Sequence, residues 1–218
     1  FGARGIAAWM GRYLGAGGIP VQALGIGGLA SADFAALLPQ VMAQTVGGGS
    51  GACAVVTVGT NDVSGITDVA QIPAVIAALQ SAWNQLRDFY SRVLIVEEHA
   101  RYVGSTTTAL PADAQTAIRK IQTAARAFAA ANSATVRVLP TLDCTVDPTA
   151  TTLIPRSGVL DDGIHPTLQT CQVLGSRGAE ILRSFASVCD EGLLAPVAGG
   201  FDGQWASFAG TVGLQAGS

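Results

Sequence analysis

The sequence predicts an α/β fold, a parallel sheet covered by helices. Strand-like and helix-like segments alternate along the chain, the order that builds parallel sheets. One strand segment, 52–58, is a near-continuous apolar run, as a strand covered on both faces requires. Ala (37) and Gly (27) fill 64 of the 218 positions. That favours helices packed tightly on a sheet, and a GC-rich coding bias gives the same composition.

The elements follow in order. Ile6, Trp9, Met10, Tyr13 and Leu14 recur at i, i+3, i+4, i+7 and i+8 and mark an amphipathic helix. A short strand is expected around 20–24 and a helix over 30–43. The glycine run 47–51 has a linker's composition, but it stands between a helix and a buried strand and reads as a loop. Ile72, Ile76, Leu79, Trp83, Leu86 and Tyr90 step by 4, 3, 4, 3 and 4, giving a long helix with Pro73 in its first turn. The next strand is 93–96. Ile118, Ile121, Ala125 and Phe128 mark a helix that Asn132 can stop. The last strand is 136–139, and Leu174, Gly178, Ile181 and Phe185 line the last helix. Periodicity fails after Cys189. The Gly-rich stretch 195–218, with Trp205 and Phe208 isolated in it, reads as the start of a β-rich module. The expected division is one α/β domain over 1–190, then a linker and the beginning of that module over 191–218. No internal repeat is present.

Composition excludes several classes of function. Hydrophobic residues make up 49% and charged residues 12%, which is not a disordered composition. Net charge is −3 and Lys120 is the only lysine, so the basic footprint of a nucleic-acid binder is missing. No apolar run approaches the roughly 18 residues of a membrane helix. Cys53, Cys144, Cys171 and Cys189 lack CxxC spacing and a neighbouring His, which argues against a zinc site. Cys53 is expected as a buried small hydrophobe, and one disulfide among the other three stays open. Phe1–Gly5 does not read as a signal peptide and holds no Met, so the chain reads as an internal piece of something longer.

Three short motifs carry chemistry. In Asp161-Asp162-Gly163-Ile164-His165-Pro166, Asp162 can accept the Nδ1–H of His165 and leave Nε2 free as a base. The plainer reading is a turn capped by Asp162. In Val58-Gly59-Thr60-Asn61-Asp62, at the end of the most apolar strand, the Asn61 amide can donate to a developing oxyanion; an ordinary strand-to-loop turn has the same composition. In Leu24-Gly25-Ile26-Gly27-Gly28-Leu29, a glycine lets a backbone N–H approach a ligand, but the run is no dinucleotide fingerprint. Glu97, Glu98, His99 and Arg101 stand at another strand end. Glu97 and His99 are candidates for substrate contact, against a solvated strand-end cluster; adjacent ligands without helical spacing make no metal motif.

Together and in this order the motifs resemble the SGNH (GDSL-type) hydrolase family over roughly residues 5–188. Gly28 matches the glycine of the family's second block, Gly59-Thr60-Asn61-Asp62 its G-x-N-D block, and Asp162 to His165 its D-x-x-H block. The resemblance implies a flavodoxin-like three-layer fold and a serine esterase working through an acyl-enzyme. His165 would be the base, Asp162 its orienting partner, and Gly28 and Asn61 oxyanion donors, with no metal or organic cofactor.

The family's Gly-Asp-Ser block, which carries the nucleophile, occurs nowhere in the 218 residues. Either Phe1-Gly2-Ala3-Arg4 is a degenerate copy, or the first strand and the serine lie upstream of Phe1. The second is preferred, because a sheet without its central strand exposes two apolar edges. Ser31 is expected as an N-cap and Ser64 in a polar turn, and neither is named as nucleophile. The implied substrate is a small-molecule or polysaccharide ester. A β-module after such a domain is similar to those in bacteriophage tail or fibre proteins, which would imply a virion or extracellular setting with other subunits. The competing class is an inactive structural or carbohydrate-binding domain; a nucleotide binder is disfavoured for want of a phosphate-cradling loop.

Overall fold

In the computed structural model the described residues are 6–15, 28–44 and 52–186. The expected strand at 20–24, the glycine run at 47–51 and the β-rich segment after Cys189 fall wholly or mainly outside them. The chain divides into two compact units, Leu29–His165 and a second formed by the segments before and after it.

The larger unit holds a parallel three-stranded sheet of β1 (Cys53–Val56), β2 (Arg92–Val96) and β3 (Val136–Leu139), in the order β1-β2-β3. Cys53 pairs with Arg92 and Val56 with Ile95; Val93 pairs with Val136 and Val96 with Leu139. Val93, Leu94, Ile95 and Val96 are all buried. This central strand, and not β1, is the one covered on both faces. The run expected over 52–58 is corrected to Cys53–Val56, because its ladder with β2 ends at Val56. Cys53 is exposed at the start of β1 rather than buried as expected. No disulfide joins any two of Cys53, Cys144 and Cys171.

Helices α2 (Ser31–Ala43), α3 (Thr60–Gly65), α4 (Ile72–Phe89), α5 (Ala112–Ala131) and α6 (Leu142–Thr145) complete the unit. The 4-3-4 stepping read from α4 is its buried face: Ile72, Leu79, Trp83 and Leu86 are 0–5% exposed. The start of α4 is fixed by a turn in which Asp68 accepts the Ala70 N–H at 2.8 Å and Gln71 accepts that of Asp68 at 3.1 Å. Trp83 meets Phe128 of α5 at a 5.6 Å ring separation, and burying a side chain of this size contributes about 3 kcal/mol. The α5 helix stops at Asn132, whose side chain turns back to the Phe128 carbonyl at 2.8 Å. No helix among the described residues is long and apolar enough to cross a membrane.

The other unit pairs α1 (Ile6–Gly15) with α7 (Leu168–Ala186). Their approach depends on Gly175 and Gly178. A Cβ at Gly175 would sit 2.5 Å from that of Trp9, and one at Gly178 would sit 2.6 Å from Cε of Met10. Glycine inside a helix costs about 1 kcal/mol relative to alanine, which close packing offsets here.

Candidate active site

Asp162 and His165 form a closed turn. Oδ1 of Asp162 accepts the backbone N–H of Ile164 at 3.0 Å and that of His165 at 2.8 Å, and Oδ2 accepts the His165 Nδ1–H at 2.7 Å. One carboxylate thus organises the turn and fixes the imidazole tautomer, with Nδ1 protonated and Nε2 carrying the lone pair. His165 is 74% exposed, so Nε2 is open to a reacting group.

The bonds from His165 hold the Asp162 carboxyl at about 2, with the His165 backbone N–H the largest contributor and its Nδ1–H next. Because the value in the folded turn lies below the ordinary 3.8, the stabilisation is complete above about pH 4 and is lost as pH falls through about 2. The expected outcome is that the Asp162 side-chain carboxyl carbon titrates with a midpoint at about 2. A midpoint near the ordinary 3.8 would contradict the assigned bonds.

Gly163 is required by both conformation and space. Its φ is +83°, in the left-handed region, and a Cβ there would lie 2.6 Å from the Gly104 carbonyl and 2.8 Å from that of Thr106. The segment 102–109, closed by a Tyr102–Ala109 bridge, presses its backbone against the turn. The Tyr102 N–H donates to the Gly163 carbonyl at 2.8 Å.

The Gly59–Asp62 stretch leaves β1 and enters α3, with Gly59 at φ +129° as its N-cap. Both side chains at its end reach the segment that follows Gly28. Nδ2 of Asn61 donates to the Leu29 carbonyl at 2.9 Å, and Asn61 remains exposed, with a second amide hydrogen to offer. Asp62 accepts the Ser31 N–H at 2.9 Å and the Ser31 Oγ–H at 2.8 Å. The expectation for Ser31 is therefore corrected. Ala30 is the N-cap residue of α2 and has no polar side chain, so Asp62 caps the helix from 31 residues away. Ser64 is likewise committed: its Oγ donates to the Thr60 carbonyl at 3.0 Å and accepts from Arg101 at 2.9 Å. Gly28 itself lies exposed in a turn with φ +79°.

The strand-end cluster is not solvated. Glu97, Glu98 and Arg101 are 4%, 6% and 2% exposed. Both carboxylate oxygens of Glu97 are held by Arg126 of α5, at 2.5 and 2.9 Å, which takes Glu97 away from substrate contact. That carboxylate in turn raises the pKa of Arg126 above its ordinary value. Glu98 accepts the Thr60 Oγ1–H at 2.8 Å and faces Nε of Arg101 at 3.4 Å. Arg101 donates to the Thr60 carbonyl at 2.7 Å. His99 turns its Nε2 to the Ile164 carbonyl at 2.7 Å, so this nitrogen of the substrate-contact candidate meets the D-x-x-H turn.

Thr60 precedes Asn61 and Ile164 precedes His165. Their bonds to Glu98 and His99 thus tie both turns to the segment that follows β2, at the carboxyl end of the strand, where ligands bind in open α/β sheets. The roles of Asp62 and Arg101 were missed in the sequence, and the only available signal was the G-x-N-D block itself. Among the described residues no three His, Cys, Asp or Glu side chains gather as metal ligands.

Comparison with known proteins identifies the family and the fold. The model of the GDSL-like lipase/acylhydrolase family matches residues 1–173. Among solved structures, the chain resembles a candidate acylhydrolase from Bacteroides fragilis at 16% identity and a TM-score of 0.60, covering 84% of this chain and 81% of that one. It also resembles a carbohydrate acetylesterase from Sinorhizobium meliloti, at 17% identity and a TM-score of 0.56, covering 84% of this chain and 86% of that one. A carbohydrate acetylesterase family member from the same organism gives 16% and 0.58 with the same coverage. At such identities the likeness is one of fold. No curated protein sequence matches the chain. The family match over most of the sequence, the parallel α/β fold and the two motif turns lead to one assignment: the chain belongs to the GDSL-like lipase/acylhydrolase family, whose members are ester hydrolases.

Proposed function

We propose that the protein is a serine ester hydrolase that removes acetyl or similar acyl groups from a carbohydrate or other small ester through an acyl-enzyme. The single observation that carries this is the Asp162–His165 pair, a 2.7 Å bond that fixes the tautomer beneath an exposed Nε2. His165 accepts the proton of a serine as it attacks the ester carbonyl, then returns it to the leaving alcohol. Asp162 stays ionised and stabilises the imidazolium. The free amide hydrogen of Asn61 and the N–H of Gly28 receive the oxyanion, with the N–H of the serine as a third donor. The serine is that of the family's Gly-Asp-Ser block, and a larger assembly acting on surface polysaccharide is the setting in which this chemistry fits.

The test is covalent capture on the full-length protein. A fluorophosphonate should modify one serine within a Gly-Asp-Ser sequence and abolish acetyl-ester hydrolysis. Asn61→Ala should slow turnover by roughly 100-fold or more, the cost of one oxyanion donor. Near-normal turnover would remove Asn61 from that role. If no serine is captured and no ester is cleaved while carbohydrate still binds, the catalytic reading fails and a binding domain takes its place.

A further inference from the structure

We propose that His99 is a positioning residue, whose imidazole grips the Ile164 carbonyl through Nε2–H and thereby sets the pose of His165. The proposal rests on His165 being the base. Its geometry stands apart from that reading.

A backbone carbonyl has no proton to give, so the 2.7 Å contact requires Nε2 of His99 to be the donor. The neutral tautomers that these acceptors select are therefore opposite, Nε2–H at His99 and Nδ1–H at His165, where the acceptor is the ionised Asp162. The turn needs such a tie. Asp162 and His165 are 43% and 74% exposed, so little packing holds them. Polar bonds do the holding: Asp162 takes the two amides, Tyr102 N–H takes the Gly163 carbonyl, and Asp161 N–H takes that of His165 at 2.9 Å. The Ile164 carbonyl is a further acceptor in the turn, and His99 fills it. Glu98, the preceding residue, holds Thr60 beside Asn61. A single short segment after β2 thus registers the base turn against the oxyanion turn. This differs from the substrate contact expected of His99, because the Nε2 atom is already engaged.

The chain contains only two histidines, so their ring nitrogens can be assigned without ambiguity. Long-range ¹H–¹⁵N correlation at mildly alkaline pH should show His99 as Nε2–H and His165 as Nδ1–H. A coupling across the hydrogen bond should connect Nε2 of His99 with the Ile164 carbonyl carbon. In His99→Leu, exchange of the His165 Nδ1–H with water should rise about threefold to tenfold, the opening expected when one hydrogen bond is lost. His99→Gln, whose amide N–H extends to a similar point, should restore slow exchange. The proposal is overturned by an Nδ1–H tautomer at His99, or by unchanged His165 exchange in His99→Leu. If His99→Leu does not fold, the tautomers and the coupling in the unaltered chain decide alone. None of these readouts needs turnover, so an inactive full-length protein would sink the esterase and leave His99's role standing.

Discussion

Asp162→Asn is expected to lower kcat for acetyl esters by about 10,000-fold in the protein carrying its serine, with little change in KM. The geometry makes this substitution unusually clean. Oδ1 of the new amide can keep both backbone bonds that Asp162 accepts from Ile164 and His165. The amide nitrogen then occupies the Oδ2 position and donates to Nδ1 of the imidazole, which must become the acceptor. The proton moves to Nε2, and the lone pair that should take the serine proton is gone. Turn and fold survive while the tautomer reverses. The measurement pairs steady-state kinetics with the His165 ring-nitrogen shifts. A kcat within tenfold of the unaltered enzyme would mean that Asp162 shapes the turn without serving the base.

The second large effect is on stability. Arg101→Leu should destabilise the fold by about 3–5 kcal/mol, because it leaves Glu98 ionised and buried without its cation. Glu98 and Arg101 side chains are 4% and 2% exposed, and Arg101 also ties down Thr60 and Ser64. For a domain of this size the loss corresponds to a fall in Tm of roughly 6–20 °C. Adding Glu98→Gln to Arg101→Leu should recover part of it, since the orphaned charge is then removed. Thermal unfolding of the single and double variants checks both statements. A loss below about 1 kcal/mol would return the pair to the solvated class of surface ion pairs.

What the sequence showed and what it hid divide along physical lines. The helix α4 was legible because its contacts repeat on one face at helical spacing, and β2 because four apolar residues run without interruption. The Asp162–His165 turn was legible because every atom in it lies within four residues. Glu98 and Arg101 look like surface charges in a local window. Their burial depends on Thr60 and Ser64, 37 to 41 residues away. The Glu97–Arg126 pair spans 29 residues and the Ser31–Asp62 cap spans 31. Each is a polar group satisfied across the fold, and nothing in its own neighbourhood records the partner. His99 is the intermediate case. Its position beside the site was readable, but its partner is a backbone carbonyl, which leaves no trace in residue identity.

The loop atoms nearest to a Cβ at Gly163 are all main-chain, the carbonyls of Gly104 and Thr106 and the Thr106 nitrogen. Val103, Ser105 and Thr107 of the same loop are exposed. The backbone of this loop is bound to the turn that carries His165, while the faces it shows to solvent are under no such obligation. A lineage could therefore rewrite those side chains and still keep His165 in register.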